Sequence, residues 1–330
     1  MVWSNRTSLG ENILSGLRAR IWRTHLDIDS ALCYIVKKRD EETAKLNEKE
    51  NALRVLQDVS ETALTRAIEE SLAAYQVSLA QQLPGGEVYD NPDFLWVTTG
   101  VPIDFYNGVF RCHLDPLRID AQITEMMEEF RRRQLPMYWQ VGPSSQPADL
   151  QHRLLAHGFL HEEDEPGMAL DLLAMNEDFS APAGLDIRLV EDLSALNEWF
   201  AVWLFGAPDA IPLFQRIHAQ LGFGPDLPWR YYLGYVEGKP VATVLLVFGA
   251  GVAAVHWVVT LPEMRHQGIG TAMTLAALRE ARTIGYRIAI LTASPYGEGI
   301  YRRIGFRAYG TISKYRWQAS GESSSEQDNT

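Results

Sequence analysis

The amino-acid sequence predicts an α/β (α+β) fold made of two similar units joined in tandem. In the second half, a glycine-punctuated turn separates an apolar run from an amphipathic run, and a later strand, turn and helix end in Gly305-Phe306. In the first half, a strand, polar turn and helix end in Gly158-Phe159, at an offset of 147 residues (306 minus 159). A chain of 330 residues suggests about two domains on size alone, which agrees with this repeat.

The first half opens with a charged extension over residues 1–58, whose stretch 37–51 predicts a helix with few apolar contacts or partial disorder. Apolar residues from Leu64 to Leu79 then recur every three or four positions and predict an amphipathic helix over 61–82. Strands are predicted at 95–99, 108–114 and from 137, and a helix at 119–133 ends before Pro136. A late strand is predicted at 168–172. The first unit therefore spans residues 59–175.

Residues 176–184 are the predicted linker, and an alternating strand at 185–190 opens the second unit. Helices are predicted near 196–204 and 211–221. The apolar stretch 241–259 has the length of a membrane span, but the central Gly249-Ala250-Gly251 and the β-branched flanks predict two antiparallel strands. The second unit spans 185–318, and the tail 319–330, rich in Ser, Glu and Asp, is predicted to be disordered.

The turn at residues 265–271 lies between a predicted strand and a predicted helix. Backbone N–H groups at such a turn lack intrahelical partners and, with the helix dipole, form an anion site. Gly268 and Gly270 allow a ligand to approach the main chain. The spacing Arg-x-x-Gly-x-Gly differs from the lysine-ended phosphate loop and from the dinucleotide fingerprint, so neither a nucleoside triphosphate nor NAD is the first expectation.

This turn, together with the ending Tyr-x-x-x-Gly-Phe that begins at Tyr301, resembles the two motifs of the GNAT superfamily of N-acetyltransferases. The resemblance implies two tandem GNAT-like units, each a mixed, mostly antiparallel central sheet flanked by helices, with the second unit catalytic. It implies that acetyl-CoA is the co-substrate and that its acetyl group moves to a primary amine by direct attack on the thioester. Tyr301 then lies beside the thioester sulfur and serves as the general acid.

The same resemblance implies a set of cofactor-binding residues in the second unit. The backbone before the turn polarises the thioester carbonyl, the turn holds the pyrophosphate, and Ser294 stands where the family often has asparagine beside the pantetheine arm. The implied residues are Val258, Val259, Thr260, Arg265, His266, Gln267, Gly268, Ile269, Gly270, Thr271, Ser294 and Tyr301. A phenol with an ordinary pKa near 10 is a plausible donor to a thiolate whose pKa is roughly 8 to 9.

His256 is the candidate general base. In a regular strand it shares a face with Val258, and by family geometry it points towards the acceptor channel. An ordinary imidazole pKa near 6.5 suits it to accept a proton from the amine. The alternative is a core histidine with a satisfied hydrogen bond, and the sequence favours neither reading.

The first unit lacks both motifs. Leu154 stands opposite Tyr301 in the repeat, and residues 107–133 contain no Arg-x-x-Gly-x-Gly turn. The first unit is therefore predicted to be degenerate and to shape the substrate cleft of the second, because a shared fold alone does not confer activity.

The composition of the chain restricts the classes of binding partner. A net charge of −12 argues against nucleic acid, and the only cysteines, Cys33 and Cys112, indicate neither a disulfide framework nor a metal site, as in a reducing cytoplasm. No membrane segment is predicted. The acceptor is a small-molecule or peptide amine, and the oligomeric state is monomer or homodimer. Two alternatives stay open: a non-catalytic acetyl-CoA-binding or sensing module, and an acyltransferase that uses a longer acyl-CoA.

Overall fold

The computed structural model of the chain describes residues 55–224 and 227–318. The predictions for residues 1–54 and for the tail 319–330, and Cys33 with them, lie outside the described residues.

Helices and strands alternate along the described chain. The helices are α1 (Glu61–Gln82), α2 (Ile119–Arg133), α3 (Leu150–Ala156), α4 (Leu193–Trp203), α5 (Ile211–Leu221), α6 (Ile269–Ile284) and α7 (Glu298–Ile304). The strands are β1 (Glu87–Asp90), β2 (Leu95–Thr98), β3 (Gly108–Phe110), β4 (Met137–Val141), β5 (Leu160–Asp171), β6 (Leu185–Leu189), β7 (Trp229–Val236), β8 (Lys239–Gly249), β9 (Val252–Thr260), β10 (Ile288–Thr292) and β11 (Arg307–Trp317).

The strands form one sheet in the order β1-β2-β3-β4-β11-β5-β10-β9-β8-β7-β6. Most neighbours are antiparallel, and β3 with β4 and β9 with β10 are parallel pairs. The last strands of the two halves are exchanged: β5 pairs with β10 of the second half, and β11 pairs with β4 of the first. Each half of the sheet is therefore completed by a strand from the other half.

β5 is longer than the predicted strand at 168–172, because its acidic first half pairs with β11. Lys314 on β11 lies 2.6 Å from Glu163 Oε1 and 3.0 Å from Glu165 Oε2, so a run of carboxylates finds cationic partners across the strands. Cross-strand pairs of opposite charge stabilise a sheet. Apolar alternation, on which the prediction depended, is absent from this part of the strand.

Helix α1 links the two halves. Its Leu64 and Ile68 lie in the same buried cluster as Leu245 of β8, while Ala73 and Ala80 pack with the first half around β2 and β3. The Ser60 side chain caps the helix by accepting from the Ala63 N–H at 3.4 Å. Full burial of each leucine or isoleucine contributes ~1.5–3 kcal/mol, so the apolar stripe seen in the sequence fixes this helix against both halves.

The apolar stretch 241–259 forms the antiparallel strands β8 and β9, as predicted, with a tight turn at Ala250-Gly251. In the described ranges, no helix combines the length and the apolar character that crossing a membrane requires.

The parallel strands of the first half do not open. Beyond the ends of β3 and β4, the N–H of Gln146 donates to Cys112 O at 2.8 Å, and the N–H of Leu114 donates to Gln146 O at 3.0 Å. Leu154, opposite Tyr301 in the repeat, is fully buried in the apolar cluster beneath these strands. Hydrogen bonds therefore join the segments that follow β3 and β4, at the position in the repeat where β9 and β10 separate in the second half.

Candidate active site

Strands β9 and β10 separate towards their carboxyl ends. They pair only at Ala253 with Ala289 and at Ala254 with Ile290. Beyond those pairs a bulge interrupts β9 at Trp257, whose φ is 52°, and the register against β8 shifts there. Bulges re-aim side chains and end local pairing, and they are common beside active sites. The result is an opening between two parallel strands, next to the start of α6.

A cavity of about 1220 Å³ lies at this opening, between α6 and α7. Its lining includes residues 258–260, 268–271, Arg265, His266, Ser294 and Tyr301. The structure therefore brings eleven of the twelve proposed cofactor-binding residues to one cavity. Gln267 and His256 do not line it. That these residues bind a cofactor stays a prediction.

The glycine turn enters α6 through left-handed backbone. Gly268 is the N-cap residue with a φ of 79°, and His266 has a φ of 62°. The N–H of Ala272 donates to Gly268 O at 3.0 Å and makes the first intrahelical bond, so the N–H groups before it point out of the end of the helix. With the helix dipole they form an anion site that opens into the cavity.

Gly270 gives a test of whether this turn is shaped for a ligand. A Cβ at Gly270 would lie 3.5 Å from Thr260 Oγ1, an ordinary contact, so alanine fits the protein itself. We expect Gly270→Ala to raise stability by about 0.5–1 kcal/mol, as glycine-to-alanine changes in helices do. If the turn holds the pyrophosphate of acetyl-CoA, we expect the same change to weaken acetyl-CoA binding about tenfold, because the added methyl would stand between the backbone and the ligand. Calorimetric titration and thermal melts measure both.

The control for that variant is Gly206→Ala, where an added methyl meets no atom within 4 Å and the glycine itself does not line the cavity. It should leave the acetyl-CoA affinity unchanged, while its stability should rise for the same unfolded-state reason. Unchanged acetyl-CoA affinity in Gly270→Ala would mean that the turn does not approach the cofactor.

The charge of the cavity is opposite to that of the chain. Arg265, Arg279 and Arg303 line it, and within the described ranges no Asp or Glu side chain does. Arg265 Nε also donates to Thr260 O at 3.0 Å, which fixes the guanidinium beside the turn. In a chain of net charge −12, such a cationic cavity selects an anionic ligand.

Tyr301 lies on α7 with its ring against Phe306, in an edge contact of 5.9 Å between centroids. Burial raises the pKa of Tyr301 to about 12, and the Glu165 carboxylate acts in the same direction. The ordinary value assumed from sequence is therefore too low, and the phenol keeps its proton across the range in which proteins work. Gly297 was not singled out from sequence, yet a Cβ there would lie 2.7 Å from the Tyr301 ring.

His256 does not share a face with Val258, contrary to the expectation for a regular strand. The bulge at Trp257 places His256 and Trp257 against the cluster around α1, while Val258 packs on the side of α6. The His256 ring stacks on Tyr75 at 5.4 Å, and its Nε2 is buried with no hydrogen-bond partner in the described chain. Burial lowers the pKa of His256 to about 4, with Lys314 adding to the effect and Glu165 opposing it. Its role as general base stays a prediction.

The exchanged strands bring a charged group close to both candidate catalytic residues. Glu165 on β5 influences the pKa of Tyr301 and of His256, and it bonds Lys314 on β11. Burial opposes the charge on Lys314, but Glu165 and Glu163 together raise its pKa above the ordinary value. This group could not be predicted from the sequence, because its members belong to strands of different halves.

A buried chain of hydrogen bonds joins the first half to α5 and β7 of the second half. Tyr106 Oη lies 2.6 Å from His218 Nε2, and His218 Nδ1 lies 2.7 Å from Tyr231 Oη. Burial lowers the pKa of His218 to about 3, so the ring is neutral. A neutral imidazole has one N–H and one acceptor nitrogen, so one tyrosine donates to it and the other accepts.

Because the pKa of His218 is low in the folded chain, we expect the free energy of unfolding to fall in acid. Its folded pKa lies below the unfolded value of 6.5, so the unfolded chain binds the proton more readily. The stabilisation is complete above pH 6.5 and disappears as pH falls towards 3; the loss from this group is about 3 kcal/mol by pH 4. We expect His218→Gln to be less stable than the parent at pH 7.5 but to lose less stability on going to pH 4.5. Denaturant unfolding at both pH values measures the slopes, and equal slopes would contradict the assignment.

Comparisons with known proteins agree with this architecture. Residues 193–306 match the model of the acetyltransferase (GNAT) family. Similar solved structures include a GCN5-related N-acetyltransferase from Kribbella flavida, with a TM-score of 0.60, 19% identity, and coverage of 76% of this chain and 95% of that one. Another from Sphaerobacter thermophilus has a TM-score of 0.54, 16% identity, and coverage of 78% and 91%.

A tandem GNAT protein from the clavulanic acid biosynthesis pathway has a TM-score of 0.52 and 15% identity, with coverage of 81% of this chain and 97% of that one. No curated protein matches the chain. At these identities the structural likenesses establish the fold, and the family match establishes the domain. Residues 193–306 are therefore an acetyltransferase domain of the GNAT family, and the chain is an acyltransferase with the GNAT fold.

Proposed function

We propose that the chain is an acetyl-CoA-dependent N-acetyltransferase that acts on a primary amine. The observation that carries the proposal is the cavity at the opening of β9 and β10. It joins the end of α6 with its free N–H groups, three arginines and Tyr301, and among the described residues no carboxylate lines it. Pyrophosphate and a further phosphate on an acyl-CoA match this charge, and a helix N-terminus is a common phosphate site.

The residues present fit an acyl-CoA, which supplies the acetyl thioester when bound. In this proposal the backbone of residues 258–260, which lines the cavity beyond the last β9–β10 pair, polarises the carbonyl oxygen where negative charge develops. The Tyr301 hydroxyl donates to the departing sulfur as the C–S bond breaks. With a pKa of about 12, it stabilises a thiolate by a hydrogen bond more than by full proton transfer.

The proton released as the N–C bond forms goes to His256 in this proposal. Its buried Nε2 lacks a partner in the described chain, and its low pKa keeps the ring neutral at pH 7. A neutral ring can accept a proton, directly or through water, although a pKa of about 4 makes it a weak base. The neighbouring Glu165 favours the cation that forms on the ring.

We further propose that residues 59–175 form a degenerate unit, residues 185–318 the catalytic unit and residues 176–184 the linker. Three observations support the degeneracy: the bridged ends of β3 and β4, the buried Leu154, and the lack of a glycine turn before α2. In this reading the first unit contributes β5, α1 and the chain around Tyr106 to the acceptor side of the second.

The test is a calorimetric titration of acetyl-CoA into the purified chain, followed by thiol-release assays with a panel of primary amines. One binding site per chain and thiol release that depends on an amine would support the proposal. Binding without turnover on any amine would favour a sensing module. Faster turnover with a longer acyl-CoA would show that the acyl donor is a longer acyl-CoA and not acetyl-CoA. No binding at all would overturn the proposal.

A further inference from the structure

The chain between β5 and β6 forms part of the cavity wall, although it lies outside the matched domain. We call residues 175–184 the connecting segment. Phe179, Ser180 and Ala181 from this segment line the same cavity as the glycine turn and Tyr301. From composition and family resemblance these residues are expected to be only a linker, and neither predicts that they line the cavity.

The connecting segment is tied to both helices that flank the cavity. At the end of α7, the Asn176 N–H donates to Ile304 O at 2.9 Å, and Asn176 Nδ2 donates to Arg303 O at 3.0 Å. On α6, Glu177 pairs with Arg279 at 2.6 Å and with Arg282 at 2.7 Å. These ion pairs are partly exposed and individually weak, but together with the backbone bond they fix where the segment runs.

The segment then crosses towards the glycine turn. The Phe179 side chain packs against the core cluster beneath α6, and Pro182 Cγ lies 3.8 Å from the position of a Cβ on Gly268. Arg279 stands ten residues beyond the first residue of α6, which is ~15 Å along the helix. The cavity therefore extends well beyond the turn, and the segment covers this outer part.

We propose that the connecting segment binds the nucleotide end of the acyl-CoA, with the Phe179 ring against the purine and Arg303 beside the 3′-phosphate. This inference rests on the proposed function. If Tyr301 faces the thioester and the glycine turn holds the pyrophosphate, the nucleotide occupies the remaining outer part of the cavity. That part offers an aromatic ring and cationic side chains, Arg279 and Arg303, and bases stack on aromatic rings without need of specific hydrogen bonds. Glu177 partly neutralises Arg279, so Arg303 on the facing helix is the better phosphate partner.

The experiment compares three ligands on the full chain: acetyl-CoA, acetyl-3′-dephospho-CoA and S-acetylpantetheine, which lacks the nucleotide. Calorimetry measures the first two, and ligand-observed NMR measures the third. We expect Phe179→Ala to weaken acetyl-CoA about tenfold and S-acetylpantetheine by less than about twofold, because only the nucleotide meets the ring. Arg303→Gln should reduce the preference for acetyl-CoA over its dephospho form about fivefold.

Phe179 also packs against the core, so Phe179→Leu keeps apolar volume while removing the ring. It should retain thermal stability and still weaken the nucleotide ligands selectively. Leu173→Ala, an exposed change just before the segment, is the control and should alter no affinity. Equal affinities in parent and Phe179 variants, with acetyl-CoA bound by the parent, would overturn this inference alone. A parent that does not bind acetyl-CoA would overturn the proposed function as well.

Discussion

Replacing Tyr301 by phenylalanine should lower kcat by about 10- to 150-fold, the effect of losing a hydrogen bond of ~1.5–3 kcal/mol to a charged acceptor. The change removes one oxygen from a partly buried ring and leaves its packing on Phe306, so the affinity for acetyl-CoA should change by less than about threefold. An interaction made mainly in the transition state reduces kcat and leaves ground-state binding intact. Steady-state thiol release with an amine substrate measures kcat, and calorimetry measures the affinity.

The pH dependence of the ratio of parent kcat to Tyr301→Phe kcat is a second readout. The pKa of Tyr301 is raised to about 12, so its acid form is lost only as pH rises through that value. The ratio of parent to variant kcat should therefore stay constant between pH 7 and about 10. Tyr296→Phe is the control, because this ring lines the same cavity but is almost fully exposed. A Tyr301 variant with the parent's kcat at every pH would remove Tyr301 from the mechanism, whereas a ratio that falls towards one near pH 10 would contradict the raised pKa.

Local signals in the sequence were sufficient to predict the secondary structure of much of the second half and the helices of the first half. The predicted ranges 61–82 and 119–133 coincide with α1 and α2, because proline and glycine stop signals bound the apolar periodicity. The glycine turn and Tyr301 could be located for the same reason. Both depend on residues close together in the chain, whose spacing alone gives a strand, a turn and a helix.

Features that depend on distant pairing were beyond a reading of the sequence. The exchange of β5 and β11 joins strands 147 residues apart in the repeat. The acidic part of β5 pairs with β11, where Lys314 lies opposite its carboxylates. The bulge at Trp257 requires left-handed backbone at a bulky residue, which no residue preference would suggest. That single residue reverses the face expected for His256 relative to Val258.

The exchange also changes what the first half contributes. Its parallel strands β3 and β4 are bridged where β9 and β10 separate in the second half, and it supplies Glu165 to the surroundings of Tyr301 and Tyr75 to the ring of His256. The first half can therefore influence the electrostatics of the proposed site, through strands that cross between halves. Mutations in the first half should alter turnover through these residues and not through a second cofactor site.

Gly268→Glu should weaken acetyl-CoA binding by more than about 100-fold, since like charges brought together in a partly buried site disfavour binding by several kcal/mol. The new carboxylate would stand at the N-terminus of α6, where the free N–H groups otherwise favour an anion from the ligand. A φ of 79° also disfavours any residue with a Cβ, which costs roughly 1–2 kcal/mol of stability. Calorimetry measures the affinity, and thermal melts measure the strain.

The chain provides a matched control at the other end of the same helix. Gly285 caps α6 with a φ of 107°, and a Cβ there meets no atom within 4 Å. Gly285→Glu therefore introduces the same side chain into left-handed backbone without approaching the cavity. Gly285→Glu should lose somewhat more stability, because its carboxylate stands at the negative end of the helix dipole, while only Gly268→Glu loses acetyl-CoA. Equal loss of binding in both would attribute the effect to a weakened helix, and full binding in Gly268→Glu would place the pyrophosphate elsewhere.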